Sequence, residues 1–356
     1  MLTIAPVEYA VRRALGGRRT LRDMASRTWV IEPESSQVVP KATYLEETLS
    51  RVTAPAPFST LEIQYAMIAG GKMSHLPITA IQLKGASLVG GSVYVRGHRM
   101  ALAPASGFRL RDLMDGARVP SASLGCTYFG NLFFGHFWTD DVPLMQLGQE
   151  LAPVVRTAKA PTGHQRELLE LLGLSPQLPS CVVMDELIVL EDAAQTKSKE
   201  RRYRQIRAAY TQRFARPDPP RGVFLFRGSS GAARQCENEA EIAEALERRG
   251  FVCLHPERMT LAELARASWG ARVVVGVEGS QLVHGLYTVA EGGSFLALTP
   301  PMRFGNIIKN YTDCLEMQYG FVVGEPTGGS ASPAGFKVSL DEVLRVLERL
   351  EGGRPS

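Results

Sequence analysis

The 356-residue sequence has no apolar run long enough to span a bilayer. Its N-terminus lacks the basic-then-apolar order of a signal peptide. The five cysteines, Cys126, Cys181, Cys236, Cys253 and Cys314, are odd in number and widely spaced, with no Cys-x-x-Cys pair. That excludes a disulfide frame and a cysteine zinc site, and it predicts a reduced, cytoplasmic chain. His75, His98, His164 and His255 are scattered, and no metal-ligand spacing joins them. No Gly-x-Gly-x-x-Gly follows a strand pattern and no Gly-Lys-Ser/Thr occurs, which argues against a dinucleotide fold and a P-loop. A net charge of +4 is too small to imply nucleic acid. It suits an anionic substrate or an acidic membrane surface, and equally a charge scatter without meaning.

Hydrophobic residues make up 45% and charged residues 21%, enough apolar material for two cores at ~100–200 residues per domain. The first segment, VEYAVRRALGGRRTLRDMASR, holds five arginines between Arg12 and Arg22, interleaved with Val7, Val11, Leu15 and Leu21. Two readings compete: a strip lying on anionic lipid, or a solvated basic helix that Gly16-Gly17 interrupts. Short strands and turns follow to about residue 110, with a hairpin at Gly90-Gly91. HQRELLELLGL reads as a helix, SCVVMDELIVL as a strand, and KSKERRYRQIRAAYTQRF as a basic helix that is either a solvated face or a contact for anionic glycan or lipid.

ARPDPPRG, residues 215–222, packs three prolines and a glycine into eight positions and marks a linker. Beyond it, strands and helices alternate: VFLF, a helix opened by Asn238 and closed by Gly250, FVCL, a helix capped by Thr260 and closed by Gly270, RVVVGV, a helix from about Ser280, SFLAL, FVVGE, and a last helix from Ser339. This predicts a parallel, doubly wound sheet with ligands at the carboxyl ends of its strands. The expected domains are 1–216, 217–338, and a terminal helix over 339–356 that packs back on the first domain.

The turn GVEGSQ, from Gly276 to Gln281, ends one apolar strand and opens a helix. Glycine lets the backbone turn and a ligand approach, and unpaired amides at a helix start attract phosphate. Ser280 adds a hydroxyl and Gln281 an amide. A simple tight turn explains the spacing equally well. Glu278 repels phosphate but accepts hydrogen bonds from sugar hydroxyls, so a phosphorylated, polyhydroxylated ligand such as a nucleotide sugar fits both features.

Three blocks carry a resemblance to a known family. LFRGSSGAARQCENEAEI holds Arg227, Arg234, Asn238 and Glu239; GVEGSQLVHGLYTVAEGGSFLAL holds Gly276, Gly279, Leu282 and Gly292-Gly293; NLFFGHFWTDDVP holds Asn131, His136, Asp140 and Pro143. In this order they resemble the glycosyltransferase 61 family, including its bacterial capsular polysaccharide biosynthesis members. Glu278 and His284 stand where that family usually has His and Asn. The resemblance implies a GT-B-like α/β fold, two Rossmann-like domains with a cleft between them. It also implies an inverting, metal-independent glycosyltransferase that takes a sugar from a nucleotide-sugar donor, expected to be a UDP-sugar, with no cofactor and no metal. No Asp-x-Asp pair is present to hold a divalent ion, and Asp140 and Asp141 are adjacent, so they point different ways.

An inverting displacement needs a base for the acceptor hydroxyl and cations or amides for the departing diphosphate. His136 and Asp140 share a helix face four residues apart, with Asp140 the favoured base and His136 either its substrate-binding partner or the base itself. A core histidine among Phe133, Phe134, Phe137 and Trp138 is the plainer alternative for His136. Arg227 is expected on the diphosphate, with Ser229, Ser230, Gly276, Glu278, Gly279, Ser280, Gln281, His284 and, with a surface-charge alternative, Arg234 completing the donor site. The expected partners are the nucleotide sugar, a glycan or glycolipid acceptor, and the inner face of the cell membrane. The competing function is a non-catalytic nucleotide-sugar or glycan-binding relative.

Overall fold

The computed structural model describes residues 3–15, 20–104, 113, 116–229, 234–328 and 335–353. It is mixed α/β and divides into two compact units, Met1–Ser35 with His75–Arg202, and Ser36–Ser74 with Tyr203–Ser356. The proline-rich stretch 215–222 lies inside the second unit. None of the five cysteines forms a disulfide. Among the described residues no helix is long and apolar enough to cross a membrane.

The first unit is built on a seven-stranded mixed sheet, ordered His98–Ala101, Ser92–Val95, Ile78–Val89, Cys181–Glu191, Ala117–Leu124, Val154–Val155. Ile78–Val89 pairs along one edge with Ala25–Glu32 through its first half and with Ser92–Val95 through its second. Gly85 sits where the partner changes. Its φ of +66° suits glycine, and the register to Cys181–Glu191 runs unbroken past it, from Lys84 opposite Glu186 to Ala86 opposite Met184. Gly90 and Gly91 both have positive φ and close the predicted hairpin. Ile81, Leu83, Leu88, Ala122, Val182, Met184 and Leu187 fill the core on this sheet.

The second unit centres on five parallel strands, ordered Phe251–Leu254, Gly222–Leu225, Val273–Val277, Ser294–Thr299, Gln318–Val323. Counted along the chain the order is second, first, third, fourth, fifth. The winding therefore reverses between Gly222–Leu225 and Val273–Val277, and a crevice for ligands opens at such a point. Every residue of Val273–Val277 and Ser294–Thr299 is buried, which explains why these strands read as unbroken apolar runs. Gly250 and Gly270 close their helices at positive φ, Thr260 forms a capping box with Glu263, and the Ser339 side chain accepts from the Glu342 amide, all as the sequence predicts.

Four local expectations change. Asn238 precedes the helix Glu239–Glu247, but its side chain does not cap it; the amide spans Val338, donating to the carbonyl at 2.8 Å and accepting from the N–H at 3.1 Å. The helix expected from Ser280 is one 3-10 turn, Ser280–Leu282, followed by Val283–Leu286. Gly285 lies there because a Cβ would sit 2.7 Å from Val274 Cγ2. The basic helix Lys197–Phe214 is a solvated face only in part: Lys197, Arg201 and Arg213 are exposed. Lys199 and Arg202 are buried on Asp192, at 3.6 and 2.6 Å, and Arg207 is buried against the Leu286 and Val289 carbonyls at 2.7 and 2.8 Å. These cations satisfy buried carbonyls and carboxylates, a use that composition does not distinguish from a wet charged face.

The fourth change is residues 36–74, which read as part of the N-terminal half but fold into the second unit. Leu45 joins the core of that unit with Val346, Leu347 and Leu350 from the last helix, Leu340–Gly352. Thr43 exchanges backbone hydrogen bonds with Tyr319 and Phe321, at 2.9 and 3.0 Å.

Candidate functional site

Three neighbouring strands of the second unit end close together, and each end carries charge. Arg227 follows Gly222–Leu225, Glu278 and Gly279 follow Val273–Val277, and Arg303 follows Ser294–Thr299. Arg234 joins them from the loop before the helix Glu239–Glu247. Its Nη1 donates to the Glu278 carbonyl at 2.7 Å and its Nε lies 3.2 Å from Glu278 Oε2. Arg303 Nε lies 3.8 Å from the same oxygen. A Cβ at Gly279 would sit 2.6 Å from Arg234 Nη1 and 3.1 Å from Arg227 Nε, so glycine is what lets both guanidinium groups close on this backbone.

Arg234 and Arg303 share the Glu278 carboxylate, Arg227 also feels Glu257 and Glu239, and the three guanidinium groups crowd one another. Burial, then the charge of Arg234, pulls both Arg227 and Arg303 below the usual guanidinium pKa. An excess of buried positive charge is unfavourable alone and is relieved by an anion. Two amides of the loop after Gly222–Leu225 are already taken: Arg227 N–H donates to Glu239 at 2.9 Å and Ser229 N–H to Glu257 at 3.0 Å. Gly228, at φ +68°, wraps that loop around the Glu257 carboxylate. The guanidinium side chains carry the capacity to hold a further anion.

Arg303 is held by the excursion 36–74. Ala54 and Ala56 bond Phe304 on both sides at 2.8 Å, and Gln64 Oε1 accepts the Asn306 amide at 2.7 Å. The Tyr319 hydroxyl donates to Asn306 Oδ1 at 3.1 Å; burial, with Glu278 nearby, raises its pKa well above the ordinary value.

The remaining expected donor residues fall at various distances from this cluster's chemistry. Gly276 lies within its strand, and a Cβ would sit 2.6 Å from the Leu225 carbonyl oxygen, so strand packing accounts for it. Gln281 turns back, its amide donating to the Val277 carbonyl and its Oε1 lying over Gly279 without a hydrogen-bond partner. Ser280 is half-buried beside Gly279, and His284 is buried at 4% exposure. Glu278, expected to meet sugar hydroxyls, is 7% exposed and ion-paired to the two arginines. Ser229 is bound to Glu257 through its amide and its hydroxyl. Ser230 lies outside the described residues.

In the first unit, the chain after Ala117–Leu124 forms short helical pieces, Tyr128–Leu132 and Phe134–His136, a π-helical turn Phe137–Asp141, and the helix Val142–Gln149. His136 Nδ1 lies 2.6 Å from Asp140 Oδ2, both partly exposed. Phe129 and Phe133 flank the imidazole, with centroids at 5.5 and 5.8 Å. Phe137 and Trp138 are core residues at 1% and 0% exposure. Asp141 points the other way and is fully buried. It accepts the Thr127 N–H and hydroxyl at 2.8 and 2.9 Å and an Arg156 N–H at 2.9 Å. Burial raises its pKa to about 6. A Cβ on Gly130 would collide with this carboxylate. Asn131 is a fastener: its amide donates to the Leu102 carbonyl and accepts from Thr157.

Sequence reasoning missed Arg303 and Phe129. Arg303 follows a buried strand of the parallel sheet, as Arg227 does, and that rule finds it in TPPMRFGN. Phe129 lies outside the aromatic run around His136 and carries no such signal. Among the described residues no three His, Cys, Asp or Glu side chains gather to hold a metal ion.

The second unit is therefore a parallel α/β sheet with a cluster of arginines at the carboxyl ends of three of its strands. The family model described as Glycosyltransferase 61 matches residues 134–294, a span that holds His136, Asp140, Arg227, Arg234 and Glu278. Over that span the chain is similar to the Glycosyltransferase 61 family, in agreement with the motif resemblance. No curated protein matches it.

Proposed function

We propose that the protein is an inverting, metal-independent glycosyltransferase of GT-B type that moves a sugar from a nucleoside-diphosphate sugar to a glycan or glycolipid acceptor in surface polysaccharide synthesis. The arginine cluster around Gly279 is the observation that carries this reading. A departing diphosphate needs two or more cations, and Arg227, Arg234 and Arg303 supply them where an α/β sheet binds ligands. Glu278 spaces Arg234 and Arg303 and keeps them from collapsing elsewhere.

The acceptor hydroxyl loses its proton to the His136–Asp140 pair. Asp140 takes it directly, or His136 takes it on the ring nitrogen that does not face Asp140, with the carboxylate stabilising the imidazolium. The oxygen then attacks the anomeric carbon as the bond to the diphosphate breaks. Phe129 and Phe133 offer apolar faces to the acceptor ring.

Calorimetry with UDP, GDP and CMP, with and without chelator, tests the donor site. Binding of UDP in the presence of chelator is expected, with a loss of about tenfold to hundredfold in Arg227→Ala, the scale of charge-assisted hydrogen bonds. Absence of any nucleotide binding, or binding only with a divalent ion, sinks this reading. Asp140→Asn is expected to keep donor affinity and lose about 10²–10⁴ of turnover. Unchanged turnover removes the base assignment, and nucleotide binding with no transfer by the wild type identifies a non-catalytic relative.

A further inference from the structure

The first helix, Ala5–Ala14, is attached to the first unit by one side only. Pro6 is buried, and Ala5 and Tyr9 pack on the small cluster of Val89, Tyr94, Leu113 and Cys181, with the Tyr9 and Tyr94 rings edge to face at 5.9 Å. The opposite side is apolar and faces outward. Ile4, Val7, Val11 and Leu15 recur at spacings of three and four, a single row along the helix. They are 66%, 55%, 55% and 81% exposed. An isolated exposed aliphatic residue needs no explanation, but a complete helical row pointing away from its own core does.

Charge borders this row from two elements. Arg12 is exposed on the helix itself, whereas Arg13 lies on the Tyr9 side, its Nη1 donating to the Tyr9 hydroxyl at 3.5 Å. Arg96 is exposed at the hairpin turn between Ser92–Val95 and His98–Ala101, and a Cβ on the next residue, Gly97, would collide with the Arg12 side chain, so the turn and the helix lie together. Glu8 is the one acid of the helix.

We propose that this helix lies on an anionic lipid surface, with Ile4, Val7, Val11 and Leu15 entering the acyl boundary and Arg12 and Arg96 meeting lipid phosphates. The row is narrow, wholly aliphatic and without the aromatic anchors that dominate protein interfaces, and the arginine border matches phosphate headgroups. The inference rests on this surface alone and stands apart from the transferase reading.

Vesicle flotation of the full chain tests it. Vesicles of equal parts phosphatidylglycerol and phosphatidylcholine are expected to carry the wild type, and pure phosphatidylcholine vesicles to carry about tenfold less. High salt is expected to release it, since exposed charges are screened. The double variant Val7→Asp, Val11→Asp is expected to lose binding about tenfold or more with an unchanged melting temperature, because both side chains are more than half exposed. Arg12→Glu with Arg96→Glu is expected to lose the preference for phosphatidylglycerol. Failure of the wild type to float, or flotation of the valine double variant like the wild type, overturns the proposal. A concentration-dependent dimer abolished by Val11→Asp, with no flotation, overturns it in favour of a second copy as the occupant.

Discussion

Asp141 in the first unit and Glu278 in the second are both carboxylates at less than a tenth exposure, each held by arginine. Around Asp141 the ion pair among the described residues is one to one, with Arg156, and Thr127 adds two donors. Around Glu278 two arginines share one oxygen, and Arg227 lies against the next residue. The first cluster fastens the structure to itself; under the proposed function the second, with its mutually repelling guanidinium groups, is where a ligand anion sits.

The contrast is broken most sharply by Asp141→Ala. It leaves Arg156 buried without its carboxylate and is expected to cost about 3–5 kcal/mol in urea unfolding, the scale for removing one partner of a buried pair. A loss below about 1 kcal/mol makes Asp141 a bystander. Arg303→Ala is the converse test. Removing one of three mutually repelling cations is expected to leave the melting temperature unchanged or higher, while UDP affinity falls about tenfold. If instead stability drops and affinity holds, the surplus is structural.

The smallest effect is in pH. Burial raises the pKa of both Asp141 and Asp313 to about 6. Each binds its proton more tightly in the folded state than in the unfolded chain, where aspartate titrates near ~4. Their contribution to stability is full below about pH 4, is lost as pH rises through about 6, and is flat above. Asp141→Asn is expected to remove its share of that slope in unfolding midpoints measured between pH 4 and 7, and Asp313→Asn its own share. A slope untouched by both variants assigns it to other groups.

The parallel sheet was legible because its strands are buried along their length and its helices carry ordinary caps at Thr260 and Ser339. The His136–Asp140 pair was legible because a spacing of four puts two side chains on one face, and a π-helical turn at Phe137–Asp141 did not prevent their contact. The meeting of Arg227 and Arg234 with Gly279 was legible only as far as strand ends predict it. The same rule reaches Arg303, but the brace that holds its loop, residues 54–64, was hidden because it lies far away in sequence. The buried cations of Lys197–Phe214 were hidden for the same reason: Asp192, Leu286 and Val289 decide their burial, and composition shows only their charge.

The excursion 36–74 sets a schedule for biosynthesis. Thr43, Leu45 and Gln64 emerge early from the ribosome, but their partners near Asn306, Tyr319 and Val346 are translated close to the end of this sequence. Until then an apolar stretch waits unburied, a burden that slow, long-range pairing places on the nascent polypeptide. Cutting the gene at the proline-rich stretch would separate these partners for good, and the severed carboxyl-terminal fragment would lose the brace that aims Arg303.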